Sequence, residues 1–331
     1  MTHATAHDTR RALAAIGVAL LSALFFTATY VLNRASANAG GDWLWIAALR
    51  YFITLPLLLP LMRWQGGIAP VLRAIRAHPG PWFACSTIGF VVFYLLLAFA
   101  ASSGPSWLVA GTFQFTAIAG MLCAPLLYRD ARGKLPMGAL AVGALLIAGV
   151  VLLQLGHADG DLDRAGWIAF ACVLASATLY PLGNRSLLLH LERTGDTLTA
   201  TQRVFGTTLA SQPLWLVVAY FACRPSGPPS MQHVELAAGV ALGAGVIATI
   251  LFFQATGMVR HHPAALGAAE AMQAAELLFA MVLGAMFLGE DWPHGIAILG
   301  ACVVVAGILA FAWLVSRPSP TPVAVPTEPH G

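Results

Sequence analysis

Glu270, Gln273 and Glu276 follow one another at intervals of three inside an apolar stretch rich in alanine. On a helix, steps of three hold them within a wedge of ~120°, so they share one face. A carboxyl group in a dry, low-dielectric site can exchange a proton near neutral pH, which is what a proton-coupled carrier requires. Placing an ionisable group at the centre of a bilayer costs about 2.5–3.5 kcal/mol on insertion scales, so its presence needs a reason. A substrate or ion pathway is one reason, and a hydrogen-bonding stripe between helices is the other. Glu276 falls at the middle of its stretch and Glu270 nearer one end.

A second set of polar residues is marked by internal repetition, which is read before other signals. Tyr30-Val-Leu-Asn33-Arg34 closes the first apolar stretch, and Tyr180-Pro-Leu-Gly-Asn184-Arg185 closes one about 150 residues later. Arg50 follows Arg34 by 16 residues, and Arg203 follows Arg185 by 18. Tyr30 with Tyr180, and Asn33 with Asn184, are therefore paired candidates for a central site. Arg50 and Arg203 either bind an anionic group, pair with the acidic face, or snorkel to the nearer interface. Gln114 and Gln254 add uncharged polar groups within apolar stretches.

Aromatic residues could supply stacking or cation–π faces for a flat or cationic ligand. Phe25, Phe26, Phe93, Tyr94, Trp107, Phe113, Phe252 and Phe253 are such candidates, beside the two tyrosines of the repeat. Packing against lipid or other helices is the competing role for each. Trp43, Trp45, Trp82, Trp167, Trp292 and Trp313 lie at stretch ends, where tryptophan forms interfacial belts.

These residues need elements to hold them, and composition limits what those are. Hydrophobic residues make up 59% of the chain and charged residues 9%, against roughly 25% charged in a soluble domain. A polytopic membrane protein fits. Ten apolar runs are expected to span the bilayer as helices: 12–32, 43–62, 82–102, 106–127, 136–155, 166–184, 203–222, 236–257, 264–288 and 293–315. Each approaches the ~20 residues that a crossing needs. None alternates apolar with polar residues as a barrel strand would. Ten spans put both termini on one side, and arginines such as Arg63, Arg73, Arg76, Arg129 and Arg193 fall on that side. The positive-inside rule makes it the cytoplasm. These basic loops need no nucleic-acid partner.

Five spans per half is an odd number, so the second half enters from the opposite face. The expected architecture is an all-α, 5+5 inverted-topology repeat, with residues 12–155 and 166–315 related by an axis in the membrane plane. Residues 1–11 form a cytoplasmic tail, and the Pro-rich 316–331 a disordered one.

The strings LNRASANAGGDWLWIAALRYF, GPSWLVAGTFQ, YPLGNRS, QRVFGTTLASQPLW and AAEAMQAAELLFA resemble the multidrug resistance efflux transporters of the drug/metabolite transporter superfamily. The resemblance runs from about residue 12 to 315. It implies a ten-helix, inverted-repeat carrier that moves a small molecule by alternating access. One departure stands out. Small four-helix members carry a membrane-embedded Glu on their first helix, whereas the first and sixth spans here have no acidic residue. Proton-coupled drug antiport through that position is therefore not implied.

Catalytic signatures such as H-E-x-x-H, G-x-S-x-G and Walker A are missing. The five cysteines form no C-x-x-C pair, and His261-His262 lacks nearby carboxylates, so neither a metal nor another cofactor is expected. The expected function is a secondary active transporter of the inner membrane exporting drug-like small molecules, with protons as a candidate coupling ion. Export or facilitation of a polar metabolite such as an amino acid is the alternative, and a non-transporting scaffold the second. The expected partners are a small-molecule substrate and the lipid bilayer, the chain acting as a monomer or homodimer.

Overall fold

The computed structural model describes residues 2–129, 137–157, 164–258 and 272–316. Among these residues nearly everything outside turns is helical. The helices are α1 (Thr2–Asn38), α2 (Trp43–Trp64), α3 (Ala69–Ala77) and α4 (Pro79–Ser103). The next four are α5 (Ser106–Phe113), α6 (Thr116–Leu122), α7 (Ala124–Leu127) and α8 (Met137–His157). Then come α9 (Arg164–Thr194), α10 (Ala200–Ser226) and α11, which runs through Met231–Val240, Ala241–Ala248 and Thr249–Met258. A 3₁₀ turn at Met272–Ala274 leads into α12 (Ala275–Leu288), and α13 (Ile296–Ser316) follows.

Six of these helices, α1, α2, α4, α9, α10 and α11, are long and apolar enough to cross a membrane. Several outrun the apolar stretch that marks them, because a helix continues until its end groups find other partners. Local chemistry sets those ends. Asp42 accepts from the Leu44 amide at 2.8 Å and starts α2. Thr199 and Gln202 form a reciprocal capping box that starts α10.

Two features were not expected. The 106–127 run is broken into α5, α6 and α7 rather than one helix. The short α3, with exposed Arg73 and Arg76, lies between α2 and α4. A further correction concerns Trp82, expected at an interface but fully buried. Gly206 of α10 has no side chain there, and a Cβ would meet the Trp82 ring at 2.5 Å. That missing methyl makes the slot.

The packing follows a reciprocal pattern. α4 lies against α9, and α11 lies against α1. α2 packs on α10, and α8 on α13. Small residues bring these pairs close, as membrane helices require. The backbones of Gly89 and Gly183 meet directly, and Gly149 of α8 faces Val304 of α13. α1 runs from one end of the bundle, where α2 finishes and α10 begins, to the far end, where α2 begins.

Candidate functional site

Two of the residues singled out from sequence by separate arguments meet in the interior. Tyr30 on α1 donates its hydroxyl hydrogen to Glu276 Oε2 at 2.9 Å. Both are buried, Tyr30 3% and Glu276 7% exposed, so the carboxylate is reached by a phenol rather than by bulk water. Ala274, Leu277 and Ala280 around Glu276 are buried too. Such surroundings make a single hydrogen bond matter more than it would in water. Gln273, on the same face, has its amide nitrogen and oxygen shielded from solvent without a hydrogen-bond partner. Glu270 lies outside the described residues.

Arg50 occupies a different niche. Its guanidinium carbon stands 4.0 Å from the Tyr94 ring centroid and 5.4 Å from that of Tyr51. Tyr51 is in turn stacked on Trp215, with centroids 4.6 Å apart and planes 12° from parallel. Asn33 fixes Tyr94, its Nδ2 donating to the phenol oxygen at 3.1 Å and its Oδ1 lying 3.2 Å away. Asn33 is thus linked to Arg50 through the Tyr94 side chain.

A cavity of about 350 Å³ reaches from the end where α1 begins into the middle of the bundle. That size lies within the range of small-molecule sites. Arg50, Tyr180, Asn184 and Arg203 line it. Phe93 and Phe113 pack beside Tyr180, at centroid distances of 5.0 and 6.3 Å. Tyr30 is not among the described lining residues, although its repeat partner Tyr180 is. It turns toward Glu276 instead. Gln114 and Trp107 are buried in α5 and at its end, in the core rather than on the cavity wall.

At the far end the interior is closed by polar contacts that sequence spacing did not suggest. Gly289, at φ 64°, reverses the chain after α12 and delivers Glu290. Glu290 Oε1 accepts from the Ser106 amide at 2.8 Å, and Oε2 accepts from the Ser106 hydroxyl at 2.6 Å. Arg34 Nε stands 3.9 Å from Oε1, and its Nη1 donates to the Ser102 carbonyl at 2.9 Å. α1 and α5 thus meet at the carboxylate that follows α12, and Arg34 ties α4 to the same cluster. Of these residues the sequence marked only Arg34, as the close of a repeated string.

Residues 13–317 match the model of the EmrE family, described as "Putative multidrug resistance efflux transporter". The chain belongs to this family. It is 38% identical over 304 residues to the "Uncharacterized protein YjlA" of Bacillus subtilis (strain 168), covering 89% of this chain and 93% of that one. It is 37% identical over 252 residues to the "Uncharacterized 42.1 kDa protein in intracellular alkaline protease 3'region" of Shouchella clausii, covering 74% and 65%. A solved structure described only as "Crystal structure of protein" superposes with a TM-score of 0.61 at 16% identity, covering 91% of this chain and 97% of that one. At that identity the likeness is one of fold. Family and apolar helices together make this a multi-pass membrane protein, and membership points to transport rather than catalysis.

Proposed function

We propose that the protein is a secondary transporter of the inner membrane that exports small organic molecules by alternating access. The observation that carries this reading is the asymmetry of the bundle. One end admits a charged, aromatic-walled cavity, while the other is drawn shut around Glu290. A two-state carrier needs a central site reachable from one side at a time. The absence of a nucleotide-binding motif from the sequence leaves an ion or substrate gradient as the driving force.

The reciprocal packing of α4 on α9 and α11 on α1 supports a 5+5 inverted repeat of residues 12–155 and 166–315. The arginine distribution supports cytoplasmic termini, which puts the cavity mouth on the cytoplasmic side. Cysteine accessibility near residues 38, 160 and 290 tests that topology, and labelling of residue 160 only from inside would reverse it. Glu276, buried and bonded to Tyr30, is the coupling group in this reading. Glu276→Gln keeps shape and hydrogen-bonding capacity but cannot release a proton. In proteoliposomes it should lose proton-driven transport and keep substrate exchange. Wild-type proton-driven transport in this variant would remove Glu276 from the mechanism.

A further inference from the structure

The charged residues among the described lining of the cavity are Arg50, Arg185 and Arg203, and no aspartate or glutamate stands among them. Low-dielectric walls focus such a field, so the cavity attracts anions and repels cations. The three arginines are not equivalent. Arg203 donates Nη1 to the Leu198 carbonyl at 3.0 Å, within its own end of α10. Arg185 leans across to α6, where a Cβ on Gly120 would fall 2.8 Å from its Nη2. Arg50 is the deepest on its helix, and it keeps an unused donor. Its Nη1 is shielded from solvent without a hydrogen-bond partner, and no carboxylate among the described residues lies within ion-pair distance of it.

Its aromatic neighbours fill that need only in part, since Tyr94 contributes a side-chain hydrogen bond while Nη1 keeps no partner. A ring face attracts the guanidinium charge, but the N–H donors lie in the guanidinium plane and look for oxygen. A carboxylate presents two oxygens that match that fork, as a phosphate also does. Phe26, Phe90, Phe93, Phe252 and Phe253 supply apolar wall for a ligand body, beside the uncharged polar groups of Tyr180, Asn184 and the lining threonines. Glu276 lies off the described lining, where it accepts from Tyr30.

We infer that the cavity takes organic acids, an apolar or aromatic body bearing a carboxylate, with Arg50 as the anion-binding group, rather than drug-like cations. Asn33 and Tyr94 are positioning residues that hold Arg50 through its ring contact. The inference rests on the transporter reading and narrows it to a substrate class.

Three probes on one skeleton test it by calorimetry on the purified full chain: 3-phenylpropanoate, 3-phenylpropanamide and 3-phenylpropylammonium. The carboxylate should bind tightest. Arg50→Gln should weaken it about 10- to 100-fold, the range for a lost hydrogen bond to a charged group. The same variant should leave amide binding unchanged, and Arg50→Lys should recover part of the carboxylate affinity. A merely structural Arg50 would weaken acid and amide alike, and a monodisperse, cooperatively melting variant shows that folding is intact. Preference for the ammonium, no binding of the acid, or acid affinity indifferent to Arg50→Gln would overturn the inference. Counterflow in liposomes with benzenesulfonate and trimethylphenylammonium, both permanently charged, separates the two readings. Exchange of the cation alone sinks the substrate class but keeps the transporter. Exchange of the anion supports both, and exchange of neither, even with 3-phenylpropanamide, removes the transporter reading and the inference with it.

Discussion

The two ends of the bundle are built on different principles. At the far end, long-range polar bonds tie helix to helix: Arg34 to the Ser102 carbonyl, Ser106 to Glu290, Ser226 to Asp42 at 2.8 Å, and Trp45 Nε1 to the Gly227 carbonyl at 2.9 Å. At the cavity end, helices meet through packing, with Trp82 in its Gly206 slot and His78 edge-on to His190. Gln202 Nε2 reaches the Gly67 carbonyl there at only 3.4 Å. Directional bonds break over a short displacement, whereas apolar contacts slide with little change. Under the proposed alternating access, the polar end would act as a latch and the packed end as a bearing. A carrier that alternates must undo the first while pivoting on the second.

The largest expected effect tests the bearing. Trp82→Ala removes a fully buried indole, and such truncations cost about 3–5 kcal/mol. Thermal unfolding in detergent should fall steeply while labelling of a cysteine placed at Ala101 stays slow. Fast labelling at 101 would mean that the two ends are not separable.

Glu290→Ala tests the latch. It leaves the Ser106 amide without its acceptor and removes two hydrogen bonds to a charged group, about 2–3 kcal/mol between closed and open states. Labelling of a cysteine at Ala101, in a background without the five native cysteines, should rise by roughly 30- to 150-fold. An unchanged rate would show that packing, not the carboxylate, seals that end.

Much of the site was legible in the sequence because repetition and cost both leave marks. Tyr30, Asn33, Tyr180, Asn184, Arg50 and Arg203 stood out as paired positions, and Glu276 as an acid in an apolar run. What stayed hidden depends on contacts between remote segments. Nothing in the spacing pairs Asn33 with Tyr94, lays Tyr51 on Trp215, or aims Glu290 at Ser106. The repeat also overstated equivalence, since Tyr180 lines the cavity while Tyr30 turns to Glu276. The fracture of 106–127 was missed because hydropathy measures burial and is blind to where a helix stops.

Smaller effects sharpen the comparison. Gly183→Ala puts a Cβ 2.5 Å from the Gly89 Cα and should cost about 1–3 kcal/mol, read as a lower melting temperature. A melting temperature equal to wild type would mean that α4 and α9 can part without penalty. The least effect is expected from Tyr30→Phe, which removes one hydrogen bond worth about 1 kcal/mol. Proton-driven transport should slow a few-fold, less than in Glu276→Gln, and full loss would show that the phenol itself relays the proton.

Two helices facing the cavity depart from regular α geometry at related positions. Residues 87–92 of α4 and 241–248 of α11 are wound as π-type turns, and the Phe93 amide reaches back five residues to the Ile88 carbonyl. A π turn holds about one residue more than an α turn, so each stretch absorbs an extra residue without rotating the helix beyond it. Deleting one residue inside either stretch restores ordinary winding and leaves the flanking faces in place. The same deletion two turns away swings everything downstream by about 100° and turns cavity-facing side chains elsewhere. Tolerance to single-residue deletion should therefore be confined, within these helices, to the two stretches that carry Gly89 and Gly245.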